Sequence, residues 1–503
     1  MKRTRRTWSI LLTVVAVIAA AAVGATTSAR SATRASRPNI VFVLTDDLSW
    51  NLVRFMPHVL QLQRDGLTFD DYIVSDSLCC PSRSSIFTGL FPHDTGVFSN
   101  KGADGGYAAF TGHKPDLETR TYAVTLRRRG YLTSMMGKYL NGYDPTTKHL
   151  PQGWDDWHVA GDAYKEFGYQ LYESPPAAVS SYGGRFPNPP DNYLTDVLAG
   201  KAAAFVDRTA AAHRPFVLEV ATFAPHAPYT AATRDLHLFP NLIAPRTPQF
   251  NTNNVDPPAW LGIRAPLKPK LLGRIDTGFR ERARAVQAVD RLIGRLEATV
   301  AADHLAGNTY FVFSSDNGYH MGQHRLRPGK QTAFDTDIRV PLIVTGPDVP
   351  HGRTTTRLAQ NIDLYPTFVE LAGGKPASAV DGRSLVPLFR GAQVPVWRTA
   401  ALVEHHGPDK TPSDPDYESG ALSGNPTTYA AIRLPNAVYV EYLNGDHEYY
   451  TIPNQDPARM DDYELDNAYA SLPPGQKAQL HAIVSAMASC HGAASCWAAA
   501  RPG

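Results

Sequence analysis

The sequence predicts an α/β protein with a large mixed, mostly parallel sheet and a smaller C-terminal α+β part. Uninterrupted runs of β-branched and aromatic residues, typical of strands buried on both faces, alternate with amphipathic helical patterns. The 503 residues are enough for one large domain and a smaller one. Towards the C-terminus the apolar runs are short and closely spaced, as in antiparallel strands. We therefore place the large domain in residues 37–390 and the small one in residues 391–503.

Each element is predicted from such a run or pattern. In the large domain, strands are predicted at residues 40–44, 69–74, 216–220, 309–313 and 338–344, with another ending at Lys138. Helices are predicted at residues 56–66, 122–129, 191–210 and 279–300, and a further helix opens at 361–367. The small domain has predicted strands at residues 400–403, 429–434 and 437–442 and a helix at 476–487. The Gly-rich segment 101–118 and the Pro-rich segment 229–272 are predicted as surface or substrate-facing loops.

The first 36 residues have the pattern of a signal peptide. Four basic residues precede an apolar run at residues 8–25, and small residues follow as cleavage sites. An uncleaved anchor helix is the alternative, because the run approaches membrane-spanning length. Residues 4–8 also resemble a twin-arginine signal, so export is expected by the general secretory or the twin-arginine route. We therefore predict a secreted protein with no membrane contact after cleavage.

The net charge of +2 comes from this leader. Seven Lys and Arg residues and no acid lie in residues 1–37, which leaves 42 basic against 47 acidic residues in the rest of the chain. The basic sequence pI therefore gives no reason to expect nucleic-acid or membrane binding by the mature protein.

The four cysteines form two pairs along the chain. Cys490 and Cys496 are six residues apart, and a short-loop disulfide is expected in an oxidising compartment. Cys79 and Cys80 are adjacent, and adjacent cysteines rarely bond to each other because the geometry is strained.

Residues 77–89 predict a loop that leads into a helix. Pro81 suits the first helical turn and Gly89 suits the position after the last. Cys79 then lies at the helix N-terminus, where free amides favour an anion, and Arg83 follows about one turn later. The alternative is a buried cysteine pair or half of a disulfide.

Oxygen-bearing side chains follow two of the predicted strands. Asp46 and Asp47 come after the strand at 40–44, and Asp316 and Asn317 come after the strand at 309–313. Ligands in open α/β sheets bind beyond the carboxyl ends of strands. An all-oxygen set suits Ca²⁺, or alternatively Mg²⁺, better than zinc. The alternative for Asp46 and Asp47 is a helix N-cap with a spare acid.

Basic side chains follow other strands. Lys138 comes directly after Gly137, which permits close approach, and His226 lies in a Pro-His-Ala-Pro loop suited to acid–base chemistry. His320 and Lys330 follow Asn317 within one loop. Taken singly, each of these could be an ordinary surface or loop residue.

The stretch Cys79-Cys80-Pro81-Ser82-Arg83, followed by Thr88-Gly89, resembles the Cys-x-Pro-Ser-Arg-x-x-x-x-Thr-Gly motif of the type I sulfatases. The resemblance implies an alkaline-phosphatase-like α/β/α sandwich. It also implies that a formylglycine-generating enzyme oxidises Cys79 to formylglycine (3-oxoalanine), whose hydrated aldehyde is the nucleophile. The implied metal ligands are Asp46, Asp47, residue 79, Asp316 and Asn317.

The same resemblance implies roles for the basic residues. Arg83 supports the nucleophile, Lys138 and Lys330 bind the sulfate, and His226 binds sulfate and protonates the leaving oxygen. His320 is a candidate substrate contact. The double cysteine and Lys138-Tyr139-Leu140-Asn141 resemble the N-acetylglucosamine-6-sulfatase and extracellular sulfatase branch. Leu140 departs from the many sulfatases that have His there, so the base that regenerates the aldehyde is not assigned.

These inferences predict a secreted sulfuric ester hydrolase, and the expected substrate is 6-sulfated N-acetylglucosamine or another sulfated glycan. A phosphonate or phosphodiester hydrolase on the same fold is the nearest alternative. A non-catalytic sulfoglycan-binding protein is the alternative from another class.

Overall fold

The first buried run of the sequence forms a central strand of a ten-stranded sheet. Ile40, Phe42 and Leu44 pack on one face and Val41 and Val43 on the other, as the alternation of side chains along a strand requires. The computed structural model describes residues 37–113, 115–183, 189–408, 411, 426–452 and 464–501. The predicted signal peptide, residues 1–36, lies outside the described residues.

In chain order the described strands are β1 (Asn39–Thr45), β2 (Leu67–Phe69), β3 (Tyr72–Ile73), β4 (Leu132–Lys138), β5 (Asp156–Ala160), β6 (Tyr169–Ser174), β7 (Ala178–Tyr182), β8 (Phe216–Ala221), β9 (Thr309–Ser315), β10 (Leu342–Thr345), β11 (Arg353–Thr355), β12 (Ala359–Gln360), β13 (Ala401–His405), β14 (Tyr429–Leu434), β15 (Ala437–Tyr442) and β16 (His447–Thr451).

The main sheet has the order β11-β2-β10-β9-β1-β8-β4-β5-β6-β7. Its middle strands β9, β1, β8, β4 and β5 are parallel neighbours, and the antiparallel pairs lie towards the edges. This confirms the predicted mixed sheet. Because β9, β1, β8 and β4 are adjacent and parallel, their carboxyl ends meet along one edge.

The described α-helices are α1 (Pro57–Asp65), α2 (Cys79–Thr88), α3 (Pro92–Thr95), α4 (Gly106–Gly112), α5 (Tyr122–Arg128), α6 (Leu194–Ala211), α7 (Ala259–Gly262), α8 (Pro269–Ala302), α9 (Asp335–Ile338), α10 (Leu364–Leu371), α11 (Val386–Phe389), α12 (Pro474–Ala488) and α13 (Gly492–Ala499). Among these, α2, α5 and α10 pack on the face of Phe42, and α1, α6 and α8 pack on the opposite face. The predicted α/β/α sandwich is therefore confirmed.

A second, antiparallel sheet of order β13-β14-β15-β16 follows in the C-terminal part. One of its faces joins the core beside the main sheet through Val403 and Val440. Its other face, with Leu402, packs on Leu480 of α12. The predicted bond between Cys490 and Cys496 is present, with an S–S distance of 2.03 Å.

Several predicted boundaries are wrong, each for a local reason. The strand predicted at 338–344 begins only at Leu342, since Pro341 cannot donate to a ladder and Ile338 ends α9. The helix predicted from residue 279 begins at Pro269, in its first turn. The strand predicted at 69–74 is split between β2 and β3, which belong to different sheets.

The segment predicted as a loop at 101–118 contains α4, which is anchored by the buried ring of Phe110. Strands β5, β6, β7, β11, β12 and β16 and helices α3, α7, α9, α11 and α13 were not predicted. Within the described residues, no helix is both long and apolar enough to cross a lipid bilayer.

Candidate active site

The carboxyl ends of four adjacent strands place the predicted polar residues in one buried cluster. Asp46 and Asp47 follow β1, Asp316 and Asn317 follow β9, Lys138 ends β4 and His226 follows β8. These residues are at most 2% exposed. Burying so many charges is costly unless they pair with each other, with hydrogen-bond donors or with an ion.

A turn at the end of β1 brings two consecutive carboxylates into the cluster. Side chains of neighbouring strand residues point to opposite faces, so both can face one ion only after the chain leaves the strand. Asp47 has φ of 63°, a left-handed conformation that Asp tolerates better than most residues. Its amide donates to Asp316 Oδ1 at 3.2 Å, which holds the turn against the end of β9.

Helix α2 presents Cys79 to the carboxylates. The helix begins at Cys79 and ends before Gly89, whose φ of 71° closes it in the left-handed conformation, as predicted. The Sγ atom of Cys79 lies 3.3 Å from Asp46 Oδ1 and 2.8 Å from Lys330 Nζ. Residue 79 is thus between an anion and a cation at a helix N-terminus.

Two lysines neutralise the two N-terminal carboxylates. Lys138 Nζ lies 2.5 Å from Asp46 Oδ2, and Lys330 Nζ lies 2.6 Å from Asp47 Oδ1. Burial favours the neutral form of Asp46, but Lys138 and then His226 outweigh it and lower the pKa of Asp46. Burial likewise favours neutral Lys138, yet the Asp46 charge raises the pKa of Lys138 well above its usual value. Lys138 therefore carries its charge into the site.

Arg83 lies one helical turn after Cys79 and pairs with the second carboxylate group. Its Nε donates to Asp316 Oδ2 at 2.8 Å and its Nη1 donates to the carbonyl of Lys138 at 2.9 Å. Burial and then the Asp46 charge raise the pKa of Asp316 despite this partner. Arg83 thus ties the ends of β9 and β4 to the helix that carries residue 79.

His226 points one ring nitrogen into the cluster. Its Nδ1 lies 2.7 Å from the carbonyl of Ala227, which can only accept, so Nδ1 carries a proton. Its Nε2 is 3.6 Å from Asp47 Oδ2. One ligand atom from each of Asp46, Asp47, Cys79 and His226 lies within 4.8 Å of the others.

The donor set fits a hard divalent cation. Asp47 Oδ2 and Asn317 Oδ1 are buried oxygens without a hydrogen bond in the described structure, so each needs an electropositive partner. Asn317 Nδ2 donates to Asp47 Oδ1 at 2.7 Å, which holds the two residues together. Carboxylate and amide oxygens are the ligands preferred by Ca²⁺ and Mg²⁺.

His320 lies beside the cluster and is linked to it through the backbone. Its amide and carbonyl pair with Gly329, the residue before Lys330. Its Nδ1 contacts Asp337 at 2.9 Å, and its buried Nε2 has no hydrogen-bond partner among the described residues. No described side-chain contact joins His320 to Cys79 or to the carboxylates.

Two side chains that were not predicted also contact the cluster. Arg282 donates to the carbonyl of Asp47 and lies 4.3 Å from the centre of the Tyr319 ring. The ring of Tyr164 lies 5.0 Å from Lys138 Nζ and 4.4 Å from the His226 ring. Arg282 lies three residues after Phe279, at a position of α8 where the helical pattern expects an apolar residue. This charge on the apolar face was the sequence signal that could have identified Arg282 as a site residue. No sequence signal identified Tyr164.

A nucleophile position beside carboxylates, two lysines and an imidazole suits hydrolysis of an ester of a tetrahedral oxyanion. Solved structures share the fold. A protein solved with its substrate D-glucosamine-2-N,6-O-disulfate superposes with a TM-score of 0.71 at 22% identity, covering 90% of this chain and 97% of that one. A phosphonate monoester hydrolase of Silicibacter pomeroyi gives 0.65 at 20% identity, covering 88% and 93%.

The sequence defines the family within this class. The family model described as Sulfatase matches residues 38–374. The N-acetylglucosamine-6-sulfatase of Capra hircus is 32% identical over 490 residues, which cover 92% of this chain and 85% of that protein. The chain belongs to the sulfatase family and is a sulfuric ester hydrolase.

Proposed function

We propose that the protein is a secreted sulfatase whose nucleophile is residue 79 after Cys79 has been oxidised to formylglycine by a formylglycine-generating enzyme. The observation that carries this proposal is the position of Cys79 Sγ, 3.3 Å from Asp46 Oδ1 and 2.8 Å from Lys330 Nζ. The overall reaction converts a sulfate ester and water into an alcohol and hydrogen sulfate. The leader of residues 1–36 supports export, and the large domain proposed at 37–390 contains every candidate residue of the site.

A divalent cation, Ca²⁺ or alternatively Mg²⁺, would be held by Asp46, Asp47, Asp316 and Asn317 together with residue 79. When bound, it withdraws charge from the sulfate oxygens and favours the deprotonated nucleophile. The buried oxygens of Asp47 and Asn317 that accept no hydrogen bond in the described structure support this assignment.

The protein's own residues supply the remaining chemistry. Lys138 and Lys330 stabilise the charge that develops on the sulfate oxygens. Arg83 fixes Asp316 at 2.8 Å, where that carboxyl can take the proton from the nucleophile. His226 has its Nδ1 proton committed to Ala227, so the ring in its imidazolium form would protonate the leaving oxygen from Nε2 and become neutral. We assign His320 as a substrate contact through its unpaired Nε2.

The proposed substrate is a 6-sulfated N-acetylglucosamine or a related sulfated glycan. The name of the goat relative and the sulfated glucosamine bound by the structural neighbour support this class. The Lys138-Tyr139-Leu140-Asn141 pattern supports the same branch.

The test combines mass spectrometry with turnover. The peptide that contains Cys79 is expected to have lost its sulfur and to carry an aldehyde, and the protein to release sulfate from N-acetylglucosamine-6-sulfate. An unmodified thiol in active protein would overturn the formylglycine assignment. The Cys79→Ala protein is the matched control for background hydrolysis.

A phosphonate or phosphodiester hydrolase is the second candidate, because the Silicibacter pomeroyi enzyme shares the fold. Sulfate and phosphate esters of one alcohol, assayed in parallel, separate the two: a higher kcat/KM for the phosphorus ester would reverse our assignment. Any turnover that depends on Cys79 excludes a purely sulfoglycan-binding role.

A further inference from the structure

A groove of about 460 Å³ outside the candidate active site is lined by six cationic side chains and by no acidic one. We call it the basic groove and define it by Arg264, Lys268, Lys270, Arg274, Arg325 and Arg327. Its remaining lining residues are apolar. The groove is therefore a concave surface of a single charge sign, which concentrates anions.

Most of the positive charge in the basic groove is not balanced by an ion pair among the described residues. Among the described residues, no salt bridge joins Lys268, Lys270, Arg274, Arg325 or Arg327 to a carboxylate. The chain after residue 37 has 42 basic against 47 acidic residues, so a cationic surface is not a consequence of overall composition. Clustered cations repel each other, and this repulsion is relieved when an anion binds between them.

The basic groove is built on the loop that carries Lys330. One wall is the end of segment 229–272 with the first turns of α8, and the other is the loop between β9 and Lys330. Arg325 Nη1 donates to the carbonyl of Arg264 at 3.2 Å and joins the two walls. Arg327 precedes Lys330 by three residues, so their Cα atoms are at most about 11 Å apart.

We infer that the basic groove binds the anionic groups of a sulfated polysaccharide chain while one of its sulfate esters lies at residue 79. This inference rests on the proposed function and extends it from a small ester to a polyanionic chain. Guanidinium and ammonium groups spread along a groove match sulfates and carboxylates repeated along a glycosaminoglycan. Binding of this kind weakens with salt, because each contact releases counterions.

The test compares two variants of equal charge. The groove variant carries Lys268→Gln, Lys270→Gln, Arg274→Gln and Arg327→Gln; Arg264 and Arg325 stay because they hold the walls together. The control variant carries Arg128→Gln, Lys148→Gln, Arg357→Gln and Lys375→Gln at exposed positions outside the groove. Binding of a heparin oligosaccharide is measured by titration over a range of NaCl concentrations, with thermal unfolding as the check on folding.

The groove variant is expected to bind heparin at least about tenfold more weakly than the wild type and with a shallower salt dependence. Its kcat/KM for a sulfated oligosaccharide should fall relative to its kcat/KM for N-acetylglucosamine-6-sulfate. The control variant should bind within about twofold of the wild type. Unchanged binding by the groove variant, or an equal loss in the control, would overturn the inference.

Two further arms separate the alternatives. A single-stranded DNA of matched charge that binds as tightly as heparin would show a non-specific polyanion surface and overturn the assignment to a glycan. If the protein hydrolyses the small ester but its heparin binding does not depend on the groove residues, the role of the basic groove is refuted and the proposed enzymatic function is not. Groove-dependent heparin binding without turnover of any sulfate ester would instead refute the proposed enzymatic function.

Discussion

The two adjacent cysteines occupy different chemical environments. Cys79 contacts a carboxylate and an ammonium group, both of which belong to the site. Burial raises the pKa of the Cys80 thiol to about 12, so this thiol stays neutral. The amide of Cys80 donates to Asn100 Oδ1 at 2.9 Å, which fixes the start of α2. Cys79 therefore belongs to the candidate active site, whereas Cys80 has a structural role.

Alanine substitutions should separate these two roles. Cys79→Ala removes the nucleophile and is expected to lower kcat for a sulfate ester by at least about 10³-fold. Cys80→Ala leaves the amide bond to Asn100 and is expected to keep kcat within about tenfold, with a loss of stability of about 1–2 kcal/mol. Steady-state kinetics and thermal unfolding on both variants provide the measurement. Equal losses of activity would contradict the assignment.

Residues of the candidate site could be predicted where they lie in a short local sequence motif. Asp46, Cys79 and Asp316 stand in short motifs that begin or end an element, so one stretch of sequence was enough. Arg282 and Tyr164 reach the cluster from α8 and from the loop between β5 and β6. Their partners are distant in sequence, and only the folded chain brings them together.

At the scale of elements, the close pairing of β4 with β8 positions Lys138. Gly137 has φ of 95°, and a Cβ atom there would lie 2.0 Å from the carbonyl oxygen of Ala221. A side chain would therefore have to push β4 away from β8 at the residue before Lys138.

Gly137→Ala is expected to lower kcat/KM about 10²-fold or more, because a small displacement of the Lys138 ammonium group from its position in the site can reduce the rate by that factor. It should also destabilise the fold by more than about 1–2 kcal/mol, the cost of a left-handed non-glycine residue alone. Gly168→Ala is the matched control, since Gly168 also has positive φ and has open space around it. Equal effects of the two substitutions on kcat/KM would argue against a role in placing Lys138.

The strands at the centre of the sheet could be predicted from sequence, whereas the strands from β5 to the β7 edge could not. The runs of β1, β8 and β9 are buried on both faces and therefore mostly apolar. Strand β7 is only partly buried along its length, so it shows no such run. The same reason applies to α4, whose single buried aromatic gives no helical period.

At the scale of the whole molecule, the candidate cation site joins elements that are far apart in the chain. Its carboxylates come from β1 and β9, and residue 79 comes from α2. A ligand that binds only the folded state stabilises the whole domain by mass action, by about 2.7 kcal/mol at a hundredfold excess over Kd.

Addition of Ca²⁺ to chelator-treated protein is therefore expected to raise Tm by a few degrees. Asn317→Ala removes the unpaired oxygen without changing the charge and should reduce this shift. Calorimetry or fluorescence-detected unfolding measures the effect independently of activity. A Tm that does not respond to Ca²⁺ or Mg²⁺ in the wild-type protein would count against the cation site.

Buried carboxyl groups other than the candidate cation ligands contribute to the dependence of stability on pH. Burial raises the pKa of Glu219 to about 7, and Tyr122 donates a hydrogen bond to it. Burial also raises the pKa of Glu448 to about 8. A carboxyl group whose pKa is higher in the folded state than in the unfolded state stabilises the fold at a pH below its unfolded pKa of 4.5. This stabilisation is lost as the pH rises through the pKa of the folded state.

The protein should therefore be more stable near about pH 5 than near about pH 8. For Glu219 the pKa change from 4.5 to about 7 corresponds to an upper bound of about 3 kcal/mol. Glu219→Gln keeps an acceptor for Tyr122 and removes the titration, so it should raise Tm at the higher pH more than at the lower one. Thermal unfolding across this pH range measures how steeply Tm changes with pH in the wild type and in the variant. An unchanged slope in the variant would show that Glu219 does not titrate in this pH range.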